Sequence, residues 1–105
     1  MSTRSEQIVE HLRRHLGPVQ WSDLRAHAAR QALFIVDPAL DLMDVALALA
    51  TDDRASVQIW VAKQALRRPS DAELAAWNAQ DEKPFVSSVV QPFVLAQELP
   101  TDLDG

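Results

Sequence analysis

One stretch constrains this chain more than any other: Leu33-Phe-Ile-Val-Asp-Pro-Ala-Leu-Asp-Leu-Met-Asp-Val-Ala-Leu-Ala-Leu-Ala-Thr-Asp-Asp53. Its first four residues are a continuous β-favouring run, the pattern of a short strand covered on both faces. Pro38 ends that run by holding Asp37 extended. Asp41 then stands as an N-cap, with Asp44 where a negative charge suits the helix dipole. From Leu42 to Ala50 the helix has no polar stripe beyond Asp44. A helix apolar all round is normally enclosed by protein on most sides, so this one is expected to be core, or core plus a subunit interface.

The flanking segments read as smaller elements around that spine. Ile8, Val9, Leu12 and Leu16 share one face at helical spacing, and Gly17-Pro18 stops a helix from Ser5 to Leu16. A second helix is expected from Trp21 to Arg30, with Trp21, Leu24 and Ala28 inward and Arg25 and Arg30 in water. A fourth spans Arg54 to Gln64, turning Val57, Trp60 and Val61 inward. Ala65 to Arg68 reads as a short strand. Ser70-Asp71-Ala72-Glu73 is a capping box, which starts a helix reaching about Ala79 with Leu74 and Trp77 inward. A polar loop from Gln80 to Pro84 precedes a Val- and Phe-rich segment, Phe85 to Gln97, expected to hold one or two strands with a break at Pro92. The fold class is α+β: a single domain, residues 1–98, of about five helices on a small sheet, with a loose acidic tail at 99–105.

The totals set limits on function. At 105 residues one hydrophobic core is expected, and a composition 48% hydrophobic and 24% charged is that of a folding globular chain. A formal charge of -5 disfavours phosphate backbones, whose binders gather Lys and Arg on one face. With no cysteine there is no disulfide or thiolate chemistry, and no secretory pattern opens the sequence, so a cytoplasmic setting is expected. The longest apolar run, Val45 to Ala50, is far below the roughly 18 to 20 residues of a membrane span.

Candidate chemistry is sparse. Hard cations want several oxygens, which points to Asp37, Asp41, Asp44, Asp52 and Asp53. At 1.5 Å per residue, however, Asp41 and Asp52 lie roughly 16 Å apart at the two ends of one helix, and capping explains each end. His11 and His15 share a helical face, but Leu12-Arg13-Arg14 places two cations between them and no Glu. His27 borders the stripe of the second helix, where a carboxylate would have to orient it as a general base; a half-buried structural histidine is the plainer reading. Ser87 and Ser88 lack the Gly-x-Ser-x-Gly turn of hydrolases, and two glycines cannot build a phosphate-cradling loop. The three tryptophans all fall on inward stripes.

Several motifs nevertheless stand in a recognisable order: Trp21-x-x-Leu24, Ala29-Arg30-x-Ala32-Leu33, Val36-Asp37-Pro38-x-Leu40-Asp41-Leu42, Asp52-Asp53, Val57-x-x-Trp60, Pro69-Ser70 with Trp77, and Val90-Gln91-Pro92-Phe93-Val94-Leu95. Together they resemble a family of small bacterial proteins catalogued only as a domain of unknown function. The resemblance implies a bacterial, soluble domain and carries no activity or functional residues. Glycine is common in that family where this chain has Gln31 and near Gln64. Glycine there would supply a positive φ after a helix, so either glutamine adopts it at some cost or the turns differ.

These readings order three functions. The first is a non-enzymatic interaction domain, expected to be a homo-oligomer, with Leu42, Leu49, Val90 and Phe93 as contact residues. The second is a small enzyme or ligand or metal binder using Asp37, Asp41 and Asp44 with His27. The third is a winged-helix-like nucleic-acid binder built on Lys63, Arg67 and Arg68, which the acidic helix after Ser70 disfavours. No catalytic residue, cofactor or assigned metal site is implied.

Overall fold

A computed structural model describes residues 16–99 of the chain. The side-chain alternation of its strands divides the core in two. In β2 (Leu33–Val36), Leu33 and Ile35 point to one face of the sheet and Phe34 and Val36 to the other. The same alternation runs through β4 (Pro84–Val90) and β5 (Phe93–Glu98), where Phe85, Val94 and Ala96 join the first face and Leu95 the second. Two short strands, β1 (Gly17–Gln20) and β3 (Leu66–Arg67), form the edges.

The five-stranded sheet has the order β1-β4-β5-β2-β3. All neighbours are antiparallel except β2 and β5, which run parallel with Leu33 opposite Val94 and Ile35 opposite Ala96. Helices α1 (Trp21–Ala29) and α4 (Asp71–Asn78) cover the first face. Helices α2 (Leu42–Ala50) and α3 (Arg54–Ala62) lie over the second. The α+β class therefore holds, with a mixed sheet and four helices among the described residues rather than about five. Residues 5–15 of the helix expected from Ser5 to Leu16, and the tail from Pro100 onward, fall outside those residues.

Local chemistry explains most element ends. The Asp41 carboxylate accepts from the Met43 amide at 2.9 Å and so caps α2. Asp53 caps α3 through the Ser56 amide at 3.2 Å and Ser56 Oγ at 2.7 Å. At α4 the capping box is complete: Glu73 N donates to Ser70 Oγ and Ser70 N to Glu73 Oε1. Helices α1, α2 and α3 all close with the same paired backbone bonds. In α1, Gln31 N donates to Ala28 O and Ala32 N to His27 O, each at 2.9 Å. The residue after each cap is left-handed, with φ of 62° at Gln31, 59° at Asp52 and 60° at Gln64. Gln31 and Gln64 thus adopt the positive φ that glycine takes most easily, against the steric cost of a Cβ.

Three sequence expectations are corrected. Gly17-Pro18 is not merely a stop signal: it opens β1, an edge strand paired with β4 with Gly17 opposite Ser87, where proline is tolerated on the unpaired side. Arg25 is half-buried rather than in water, because Asn78 at the end of the neighbouring helix α4 and Asp81 just beyond it hold its guanidinium. Val61 is 51% exposed rather than inward. Trp60 takes the inward direction on α3, and its neighbours in sequence lie about 100° to either side.

Candidate functional site

The acidic residues near the centre do not converge with a histidine. Asp37, at the carboxyl end of β2, accepts from Ala39 N at 2.8 Å and shapes the turn into α2. Asp41 is the cap of α2, and Asp44 is exposed one turn on. His27 lies in the opposite layer, on α1, and its carbonyl receives the amide of Ala32 just before β2. Asp37 follows the other end of that strand, so the two are separated by roughly 16 Å at about 3.3 Å per residue. The His27 ring meets the Arg30 guanidinium instead. Among the described residues no group of three or more His, Cys, Asp or Glu side chains is arranged to hold a metal ion. His11 and His15 lie outside those residues.

The carboxyl ends of the parallel strands are where open α/β sheets usually place ligands. Here the charges of that region are already matched. Arg67 on β3 donates to both Glu73 carboxylate oxygens, at 2.6 and 2.8 Å. Hydrogen bonding from Arg67 holds the Glu73 carboxyl below the usual glutamate range, and Glu73 in turn raises the Arg67 guanidinium. Lys83 pairs with Glu98 at 3.1 Å and sits 5.8 Å above the Phe85 ring. Gln97 Nε2 donates to the carbonyls of Asp37 and Leu40 at 2.9 and 2.8 Å, fixing the turn between β2 and α2. In the basic cluster, Arg67 is committed to Glu73 and Arg68 lies 5.5 Å over the Phe34 ring.

The first-face layer is equally closed. Trp21, Trp77 and Phe85 pack with ring centroids 5.2 to 5.9 Å apart, and Trp21 Nε1 donates to Asn78 Oδ1 at 2.9 Å. The hydroxyl of Ser88, fully buried on β4, has no hydrogen-bond partner among the described residues. Beside Leu95, it is a polar atom in an apolar layer rather than an aimed nucleophile.

Among the described residues, an open and mainly apolar surface lies on the flank of the α2–α3 hairpin, and a shallower polar hollow lies along Asn78 to Pro84. Helix α3 contains no buried residue, and Ile59 and Val61 are 53% and 51% exposed. On the Val61 side of α3 a hollow of about 160 Å³ is lined by Ala48 and Leu49 of α2 and by Arg54, Val57 and Gln58 of α3, with Asp52 and Asp53 at its end. Of the expected contact residues, Leu49 lines this hollow, while Val90 and Phe93 are half-buried and Phe93 stands edge-on to Phe34. Leu42 is 5% exposed and belongs to the core, so it presents no contact surface. Ile59 and Val61 were missed by the sequence reading. The signal was present in Val57-Gln-Ile-Trp-Val61, since Ile59 and Val61 cannot both follow Trp60 inward.

Comparison with known proteins adds a lineage. The NMR solution structure of PA1075 from Pseudomonas aeruginosa is similar, with a TM-score of 0.77 and 32% identity over 95% of this chain and 92% of that one. No curated protein matches. The family described as "Protein of unknown function (DUF2288)" matches residues 7–98. The strand, caps and inward tryptophans traced above lie within that span, and the chain belongs to this family.

Proposed function

We propose that this protein is a non-enzymatic interaction domain that binds a protein partner through the flank of the α2–α3 hairpin. The observation that carries the reading is α3 itself: it sets only half-buried Val57 and Trp60 against the core and holds Val61, on the flank beside the hollow, 51% exposed. The paired state of the charges at the carboxyl ends of β2 and β5, and the separation of His27 from Asp37, favour it over a catalytic reading. A cytoplasmic setting fits the absence of cysteine, and among the described residues no helix is long and apolar enough to cross a membrane.

Photo-crosslinking tests the surface. A photoreactive amino acid is placed at Val61 in one variant and at Glu82, in the loop before β4 on the other side of the sheet, in a second. Irradiation in a concentrated cell extract should give discrete protein adducts from position 61 and none from position 82. Equal labelling from both positions, or none from 61, overturns the reading.

A further inference from the structure

The flank of α3 carries a projection and a recess that fit each other. At 100° per residue, Arg54, Val57, Gln58 and Val61 fall within a sector of about 100°. The first three line the hollow beside α2, and Val61 stands exposed on the same flank. The centre of the recess lies near the level of position 56, so Val61 is about five residues, or roughly 7.5 Å, further along the helix axis. A hollow of about 160 Å³ with Ala48, Leu49 and Val57 in its walls is the right size and chemistry for one branched aliphatic side chain.

A surface with a knob and a matching hole displaced along one axis is self-complementary under a two-fold rotation. We infer that the partner of this surface is a second copy of the chain, with the two α3 helices antiparallel about a two-fold axis beside Gln58. This rests on the reading of the α2–α3 flank as an interaction surface. In that arrangement the partner's Val61 reaches the level of position 56 and enters the hollow, while Val61 enters the partner's hollow in the same way. The symmetry also keeps like charges apart: the two Arg54 side chains lie at opposite ends of the contact, each beside its own Asp52 at 3.3 Å. Antiparallel helices further set each positive N-terminal end beside a negative C-terminal end.

The contact is small. Nine residues make a helix about 14 Å long, well short of a standard interface that buries roughly 800 Å² per partner. The dimer is therefore a weak one, populated at concentrations on the order of micromolar to millimolar.

The test combines mass and geometry. Sedimentation of the full chain from about 10 μM to 1 mM should show a monomer–dimer equilibrium, and Val61→Asp should weaken it at least tenfold while circular dichroism stays unchanged. Because the chain has no cysteine, a single Gln58→Cys variant reports the axis directly. Mild oxidation should link it to its own copy, and Glu82→Cys should remain unlinked. Adding Val61→Asp to the Gln58→Cys chain should suppress the link. A wild-type chain that stays monomeric throughout, a dimer indifferent to Val61→Asp, or equal linking through position 82 overturns the second-copy inference. If the chain is monomeric while position 61 still labels another protein, the interaction reading stands and only the identity of the partner changes.

Discussion

The two helical layers of this molecule do their work differently. On the first face, α1 and α4 share the burial: Trp21 is wholly buried, Leu24 and Trp77 nearly so, and Asn78 ties the two helices by accepting from Trp21 Nε1 and Arg25 Nε at 2.9 and 3.1 Å. On the second face, α2 supplies the buried side chains almost alone, with Leu42, Val45, Ala46 and Ala48 in the core. Helix α3 then contributes only half-buried Val57 and Trp60 to that cluster. The contrast teaches where a small fold has freedom. Once one apolar helix has closed a sheet face, the helix outside it is no longer committed to the core and can present apolar side chains outward.

The largest expected effect separates the layers by their tryptophans. Trp21→Ala should cost about 3–5 kcal/mol, because it removes a buried ring from a three-ring cluster and leaves Asn78 without one donor. Trp60→Ala, at a half-buried site, should cost about 1–2 kcal/mol, the low end of large-to-small substitutions. Urea unfolding of the two variants checks this. Equal costs would break the contrast, since α3 would then be as much a part of the core as α1.

A smaller effect tests the polar closure at the end of the sheet. Glu73→Gln should cost about 1–2 kcal/mol at neutral pH, for the loss of a bidentate, partly exposed ion pair to Arg67. The sign with pH follows from a carboxyl held below its unfolded-state value. The stability it contributes is present above the ordinary glutamate pKa of about 4.3 and is lost as pH falls through the lower folded-state value. Wild type and Glu73→Gln should therefore converge in acid. A difference that persists undiminished there would mean that packing, not charge, sustains the contact.

The smallest effects come from two of the three left-handed turns, the glutamine turns that follow α1 and α3. Gln31→Gly after α1 and Gln64→Gly after α3 should each stabilise the chain by about 0.5–1 kcal/mol, as relief of the positive-φ strain exceeds the added freedom of the unfolded chain. Thermal melts measure this. If only one of the pair gains, that helix end is constrained by contacts beyond its own backbone bonds.

Much of the fold was legible in the residues because its determinants are local. Asp41, Asp53 and the Ser70–Glu73 box set helix starts through side chains two or three residues away from the amides they satisfy. Leu33 to Val36 announced a strand covered on both sides by its unbroken apolar run. The acidic candidate site was legible mainly as caps, and the structure leaves Asp37 and Asp41 bound to nearby backbone amides. The open flank of α3 was only half legible: the spacing forbids Ile59 and Val61 from both following Trp60 inward, but which of them stays out depends on where Trp60 finds its neighbours.

By itself, then, the sequence determined the local elements: the caps and the apolar spine. Tertiary structure alone decided that Gly17–Gln20 becomes an edge strand, that β5 lies parallel to β2, and that Arg67 folds back on Glu73. The physical reason is the range of the contacts. Gly17 meets Ser87 and Leu33 meets Val94 only after long loops of chain are closed, and that closure is repaid by the packed sheet as a whole rather than by any short segment.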